Sequence, residues 1–137
     1  MEDAVQEAVQ AQLVKGQLPC AHAMAIAQDL GVSPGDVGSV ANQAGIRISF
    51  CQLGLFGYGP KAEGKHKIVQ PLSVVPQAVA EHLHAAAAAD GISCFTLWQI
   101  ADQLSLSRLE AAGAVETLGM HVSHCQLGCF PRPKAGR

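Results

Sequence analysis

The strongest constraint on how this chain can fold is an eight-residue stretch that it contains twice. Ser49-Phe50-Cys51-Gln52-Leu53-Gly54-Leu55-Phe56 returns 74 positions later as Ser123-His124-Cys125-Gln126-Leu127-Gly128-Cys129-Phe130. The same offset holds without a gap from Leu18 to Gly57. It pairs Cys20 with Cys94, Ile26 with Ile100, Ala27 with Ala101, Leu30 with Leu104, Ser33 with Ser107 and Gly45 with Gly119. Twelve of these forty pairs are identical, and most of the others exchange one small or apolar residue for another. A constant offset is the mark of duplication. The chain is therefore one unit used twice, over residues 1–70 and 71–137.

Halving 137 residues leaves units of about 65 to 70, near the lower limit for an independent hydrophobic core. Each unit is expected to lean on the other, or on a second chain in a homodimer. The residues are 49% apolar and only 4% aromatic, which suits thin, closely packed helices. No apolar run reaches the roughly 18 to 20 residues that span a bilayer. The acidic start Met1-Glu2-Asp3 lacks the charged-then-apolar order of a signal peptide. A cytoplasmic protein with no membrane partner is the expectation. Five cysteines, an odd number, argue against a secreted disulfide framework and leave free thiols, metal ligands or redox groups.

Hydrophobic spacing predicts a helix over 2–15 that stops at Gly16, a short extended piece at Leu18–Cys20, and a helix over 21–30. Ser33 reads as the N-cap of a helix over 34–44, with Pro34 at its first position. Ile46, Ile48 and Phe50 alternate with polar residues as in a half-buried strand. Lys67–Gln70 reads as the returning strand of a hairpin whose tip is basic, and 71–76 as a linker. The second copy repeats the order with helices over 77–89, 95–104 and 108–118, then a strand through Met120, Val122 and His124. The fold class expected is mainly α with short β.

Within each copy, two helices flank a three-residue turn. Ala27 is small where the helices cross, Gly31 suits a left-handed turn and Val32 plugs the core; Ala101, Ser105 and Leu106 answer them in the second copy. In this the chain resembles the helix-turn-helix superfamily. With a helix before and a strand and wing after, it is similar to the winged-helix branch, present as two tandem modules. Ser105 departs from the glycine usual at that position.

The resemblance implies a transcriptional regulator that binds double-stranded DNA through its third helices, 34–44 and 108–118. The first of these offers Ser39, Asn42 and Gln43 as base readers and carries no Lys or Arg. The second begins with Arg108 and also carries Glu110 and Glu116. Phosphate contacts would fall to Arg47, to Lys61, Lys65 and Lys67 of the wing, and to Arg132, Lys134 and Arg137 of the tail. DNA binding is the first expectation; the alternative, which helices so poor in positive charge would also suit, is a non-enzymatic adaptor that binds a protein partner.

The cysteines form a second constellation. Cys20 and Cys94 occupy the extended pieces that should lie beside the strands carrying Cys51 and Cys125. The second copy adds His121, His124 and Cys129, so that Cys94, His121, His124, Cys125 and Cys129 are candidate ligands for zinc or another soft metal. The first copy has Arg47, Phe50 and Leu55 in place of His121, His124 and Cys129, and buried cysteine often serves as a small hydrophobe. Core packing, metal binding and redox response all remain open. His82 and His84 point in different directions on one helix. Trp98 reads as core, and Gly54, Gly57 and Gly59 lack the sequence of a phosphate loop. No catalytic grouping stands out, so the chain is not expected to be an enzyme.

Overall fold

The computed structural model describes residues 2–59 and 65–129. The protein is mainly helical, with six helices among the described residues and one small two-stranded sheet. The order is α1 (Glu2–Ala11), β1 (Leu18–Pro19), α2 (Cys20–Leu30), α3 (Pro34–Gln43), β2 (Ile48–Ser49), α4 (Gln77–Ala86), α5 (Cys94–Gln103) and α6 (Arg108–Thr117). Among the described residues, no helix is long and apolar enough to cross a membrane.

The offset of 74 survives at the level of single hydrogen bonds. Ser33 Oγ accepts from the Asp36 amide at 3.0 Å while the Asp36 carboxylate accepts from the Ser33 amide. Ser107 and Glu110 form the same reciprocal cap on α6. β1 and β2 pair in parallel, Leu18 with Ile48, while in the second copy Ile92 meets Val122 in the same sense as a single bridge, so the strand expected through Met120, Val122 and His124 does not form. The Leu18 amide donates to the Arg47 carbonyl at 2.9 Å, and the Ile92 amide donates to the His121 carbonyl at 2.8 Å. Gly31 ends α2 at φ 67°, and Ser105 takes the same left-handed turn at φ 57° despite its side chain.

Several elements are shorter than the sequence pattern suggests, each for a local reason. α1 stops at Ala11 because Lys15 and Gly16 turn left-handed and Val14 bridges to Gln17. α4 stops at Ala86 because Ala87 is extended and Ala88 bridges to Gly91. The alternating run from Ile46 yields only Ile48–Ser49 as strand, because Phe50 sits at φ 50° and the chain then closes a tight loop. In that loop the Cys51 amide donates to the Phe56 carbonyl, and the Gly54 amide donates to the Cys51 carbonyl. Lys67–Gln70 is not a returning strand: the Ile68 and Val69 amides converge on the one carbonyl of Gly54. The hairpin tip falls partly, and the C-terminal tail wholly, outside the described residues.

The two copies exchange their loops. Leu53, with Cys51 and Val69, is buried in the core formed by α4, α5 and α6, and Leu127 is buried in the core formed by α1, α2 and α3. Each repeat thus completes the other's interior through the same residues, which is the reciprocity of a local twofold. Trp98 packs against both cores. The main chain of Leu127 passes so close to α3 that a Cβ on Gly38 would lie 1.8 Å from its carbonyl oxygen.

Two substitutions test this packing in opposite directions. Alanine normally stabilises a helix interior relative to glycine, but Gly38→Ala must push the Leu127 main chain away and is expected to cost about 1–3 kcal/mol. Ser105→Gly removes a left-handed strain of about 1–2 kcal/mol and is expected to raise stability by a comparable amount. Denaturant midpoints of the two variants against the parent chain check both signs.

Candidate functional site

Loop exchange carries both copies of the repeated stretch to the middle of the molecule. Cys20 and Cys94 are the first residues of α2 and α5, and Cys51 and Cys125 follow the short parallel pairings. The four cysteines, with Gln52 and Gln126, face one void of about 10 Å³, whose walls include Met24, Leu53, Trp98 and Leu127. All five cysteines are free thiols. The Gln126 side-chain amide donates to Cys94 Sγ at 3.4 Å, and the Gln52 amide points at Cys20 Sγ at a longer 3.8 Å. The Leu127 main-chain amide donates to Cys125 Sγ at 3.4 Å.

These environments split the thiols into two kinds. Burial pushes Cys20 up to about 12 and Cys94 up to about 11, and it also raises Cys51. All three are protonated at neutral pH. Cys125 is drawn down to about 6, chiefly by a hydrogen bond from the Cys129 thiol and further by main-chain amides of the following turn. Cys129 keeps its proton as the donor of that bond. Cys125 is therefore the nucleophilic thiol of the set.

Outside the void lies an open groove of about 520 Å³ along α2, from Ala21 to Gln28, reaching Pro34, Gln52, Trp98 and Arg108. Met24, Gln52 and Trp98 border both spaces and so form the partition between them. The Arg108 guanidinium stacks 3.5 Å from the Trp98 ring centroid and donates to the Gln52 side-chain carbonyl. Trp98 Nε1 is buried with no hydrogen-bond acceptor among the described residues. Comparison with protein-family models, with curated proteins and with solved structures finds no match to this chain.

The residues expected to contact DNA are dispersed. Ser39, Asn42, Gln43 and Arg47 are exposed on α3 and the turn beyond it, and Lys65 is exposed as well. Lys67 pairs with Glu116 at 2.6 Å, a surface contact of small energetic weight. Arg108 is turned onto Trp98 rather than outward. Lys61, Arg132, Lys134 and Arg137 lie outside the described residues. α6 is roofed by the linker: the Thr117 hydroxyl donates to the Leu72 carbonyl, the Leu72 amide donates to the Gly113 carbonyl, and Ala111 to Val115 are all buried.

The expected metal ligands do not assemble as one group. His121 is exposed, and His124 is exposed with Nδ1 against Ser123 Oγ at 2.9 Å. Among the described residues, no three His, Cys, Asp or Glu side chains already stand where they could hold an ion. Cys94 and Cys125 instead share their surroundings with Cys20 and Cys51. The sequence pattern pairs thiols within each repeat; only the crossing of the loops unites the two pairs. The signal available was that Cys and Gln, rather than the neighbouring histidines, are identical in both copies.

Alkylation of Cys125 gives a direct check. Its rate with iodoacetamide is expected to rise with pH through about 6, because the thiolate forms above that point. Cys129→Ala removes the leading hydrogen bond, so the midpoint should move to higher pH. Mass mapping of the modified cysteine reads both curves, and a parent midpoint in the ordinary thiol range of about 8.5 would refute the assignment.

Proposed function

We propose that the chain is a non-enzymatic protein-interaction module of two winged-helix-like units, with the groove along α2 as its docking surface. The observation that carries this reading is the groove's composition. It joins the apolar faces of Met24, Ala27 and Val32 to Trp98 and to a cation, Arg108. A partner segment that sets a carboxylate beside an apolar side chain complements it. The carboxylate meets the guanidinium fork and the apolar group meets the Met24–Trp98 floor. The positive groups that a DNA reader needs on its third helices are sparse, and Arg108 is committed to this groove.

A second reading, DNA binding with transcriptional regulation, is favoured by the open polar edge of α3. Ser39, Asn42 and Gln43 are exposed there, with Arg47 just beyond. In that case phosphate contacts rest on Arg47, Lys65 and the basic residues of the tip and tail.

Trp98 is the only tryptophan, so its emission reports directly on the groove. Peptides selected from a display library against the full chain are expected to carry an acidic residue near an apolar one and to shift Trp98 fluorescence on binding. Arg108→Ala should weaken them by about 10- to 100-fold, the range of a charge-assisted hydrogen bond of about 1.5–3 kcal/mol. The DNA reading takes over if the chain instead binds mixed duplex DNA at about 50 mM salt with steep salt dependence. Lys65→Ala and Lys67→Ala would then each lower the salt slope by about one.

A further inference from the structure

We propose that the void between the repeats is a site for one thiophilic d10 metal ion of the zinc type, ligated by Cys20, Cys51, Cys94 and Cys125. This goes beyond the docking reading and does not depend on it. Two sulfurs come from each repeat, and four thiolates are a complete tetrahedral set for such an ion. A void of about 10 Å³ matches one atom-sized occupant.

The surroundings of the sulfurs separate this reading from simple packing. A cysteine serving only as a small hydrophobe needs no hydrogen-bond donor. Here Gln52 and Gln126 both turn side-chain amides toward a sulfur, and the Leu127 amide donates to a third. N–H groups directed at sulfur are the outer shell that steadies metal-bound thiolate. Cys20 and Cys94 also begin α2 and α5, where the helix dipole favours negative charge. The Met24 thioether adds a further soft wall.

On ligation Cys20, Cys51 and Cys94 each release a proton to solvent, and each of the four sulfurs forms one bond to the ion. Four thiolates around a divalent cation leave a charge of minus two, which the amides and helix ends offset. Metal–sulfur bonds of about 2.3 Å place neighbouring sulfurs about 3.8 Å apart; no three of the side chains already stand at such a spacing, so binding draws them inward. Because ligands come from both repeats, the ion clamps the loop exchange and couples its binding to folding. The histidines at 121 and 124 take no part, and Cys129 supplies no bond to the ion, acting only as a hydrogen-bond donor to Cys125.

The test uses the full chain, stripped of metal and kept reduced, titrated with Zn²⁺ and separately with Cd²⁺. One equivalent of each is expected to bind, with a cadmium–thiolate absorption band in the ultraviolet. Melting temperature should rise by about 10 °C once free Zn²⁺ exceeds its Kd a hundredfold. Cys20→Ser and Cys51→Ser should abolish the band at one equivalent, whereas Cys129→Ser, which keeps a hydroxyl donor beside Cys125, and the double change His121→Ala, His124→Ala should leave it intact. Gln126→Leu keeps every ligand and should weaken binding by about 10- to 100-fold. Circular dichroism confirms that each variant retains its helices, and Gln126→Leu decides the matter if a cysteine variant does not. The proposal is overturned if neither ion binds the parent chain at micromolar concentration. It is equally overturned if binding survives Cys20→Ser and Cys51→Ser but is lost with the histidines.

Discussion

Reciprocal insertion of Leu53 and Leu127 is the interaction on which the rest of the structure depends. Each leucine is almost fully buried, and each is buried in the core of the other repeat. Three short helices of ten or eleven residues enclose little apolar volume by themselves. The crossing loops supply the missing side chains and, in the same step, fix the spacing of the two repeats. Gly38 records how tight the closure is, because the Leu127 main chain occupies the place where a side chain would stand.

That closure also creates the site. Cys51 and Gln52 precede Leu53, and Cys125 and Gln126 precede Leu127, so burying the leucines brings both Cys-Gln pairs to the shared boundary. The helix starts at Cys20 and Cys94 meet them there through the short parallel pairings. A chamber built in this way is nearly symmetric where the repeats agree. It departs from symmetry where they differ, at Met24 against Trp98 and at Pro34 against Arg108. Those differences give the outer groove its aromatic floor and its cation.

The third helices are not equivalent in exposure. α3 leaves Ser39, Asn42 and Gln43 in solvent, whereas α6 is covered by the chain from Gln70 to Leu72. Gly113 allows that coverage, since a Cβ there would meet the Gln70 carbonyl at 2.6 Å. One copy of the repeated unit has thus become a support for the linker. Its first side chain, Arg108, serves the groove instead of the helix's own outer face.

Much of the local structure was legible in the sequence. The duplication, the order of three helices in each copy, the strand of the first copy and the Ser33 cap follow from spacing, side-chain chemistry and the repeat itself. The left-handed turn at Ser105 was also set by its alignment with Gly31, against the preference of the residue. Lengths were less legible, because one left-handed residue such as Phe50 or Lys15 ends an element that periodicity would continue. The site was legible only in halves. Sequence alone determined which residues are shared by the copies and which thiols neighbour one another within each. Tertiary structure decided that the halves face each other, because a buried leucine can complete its own core or its neighbour's, and hydrophobic patterning is the same in both cases.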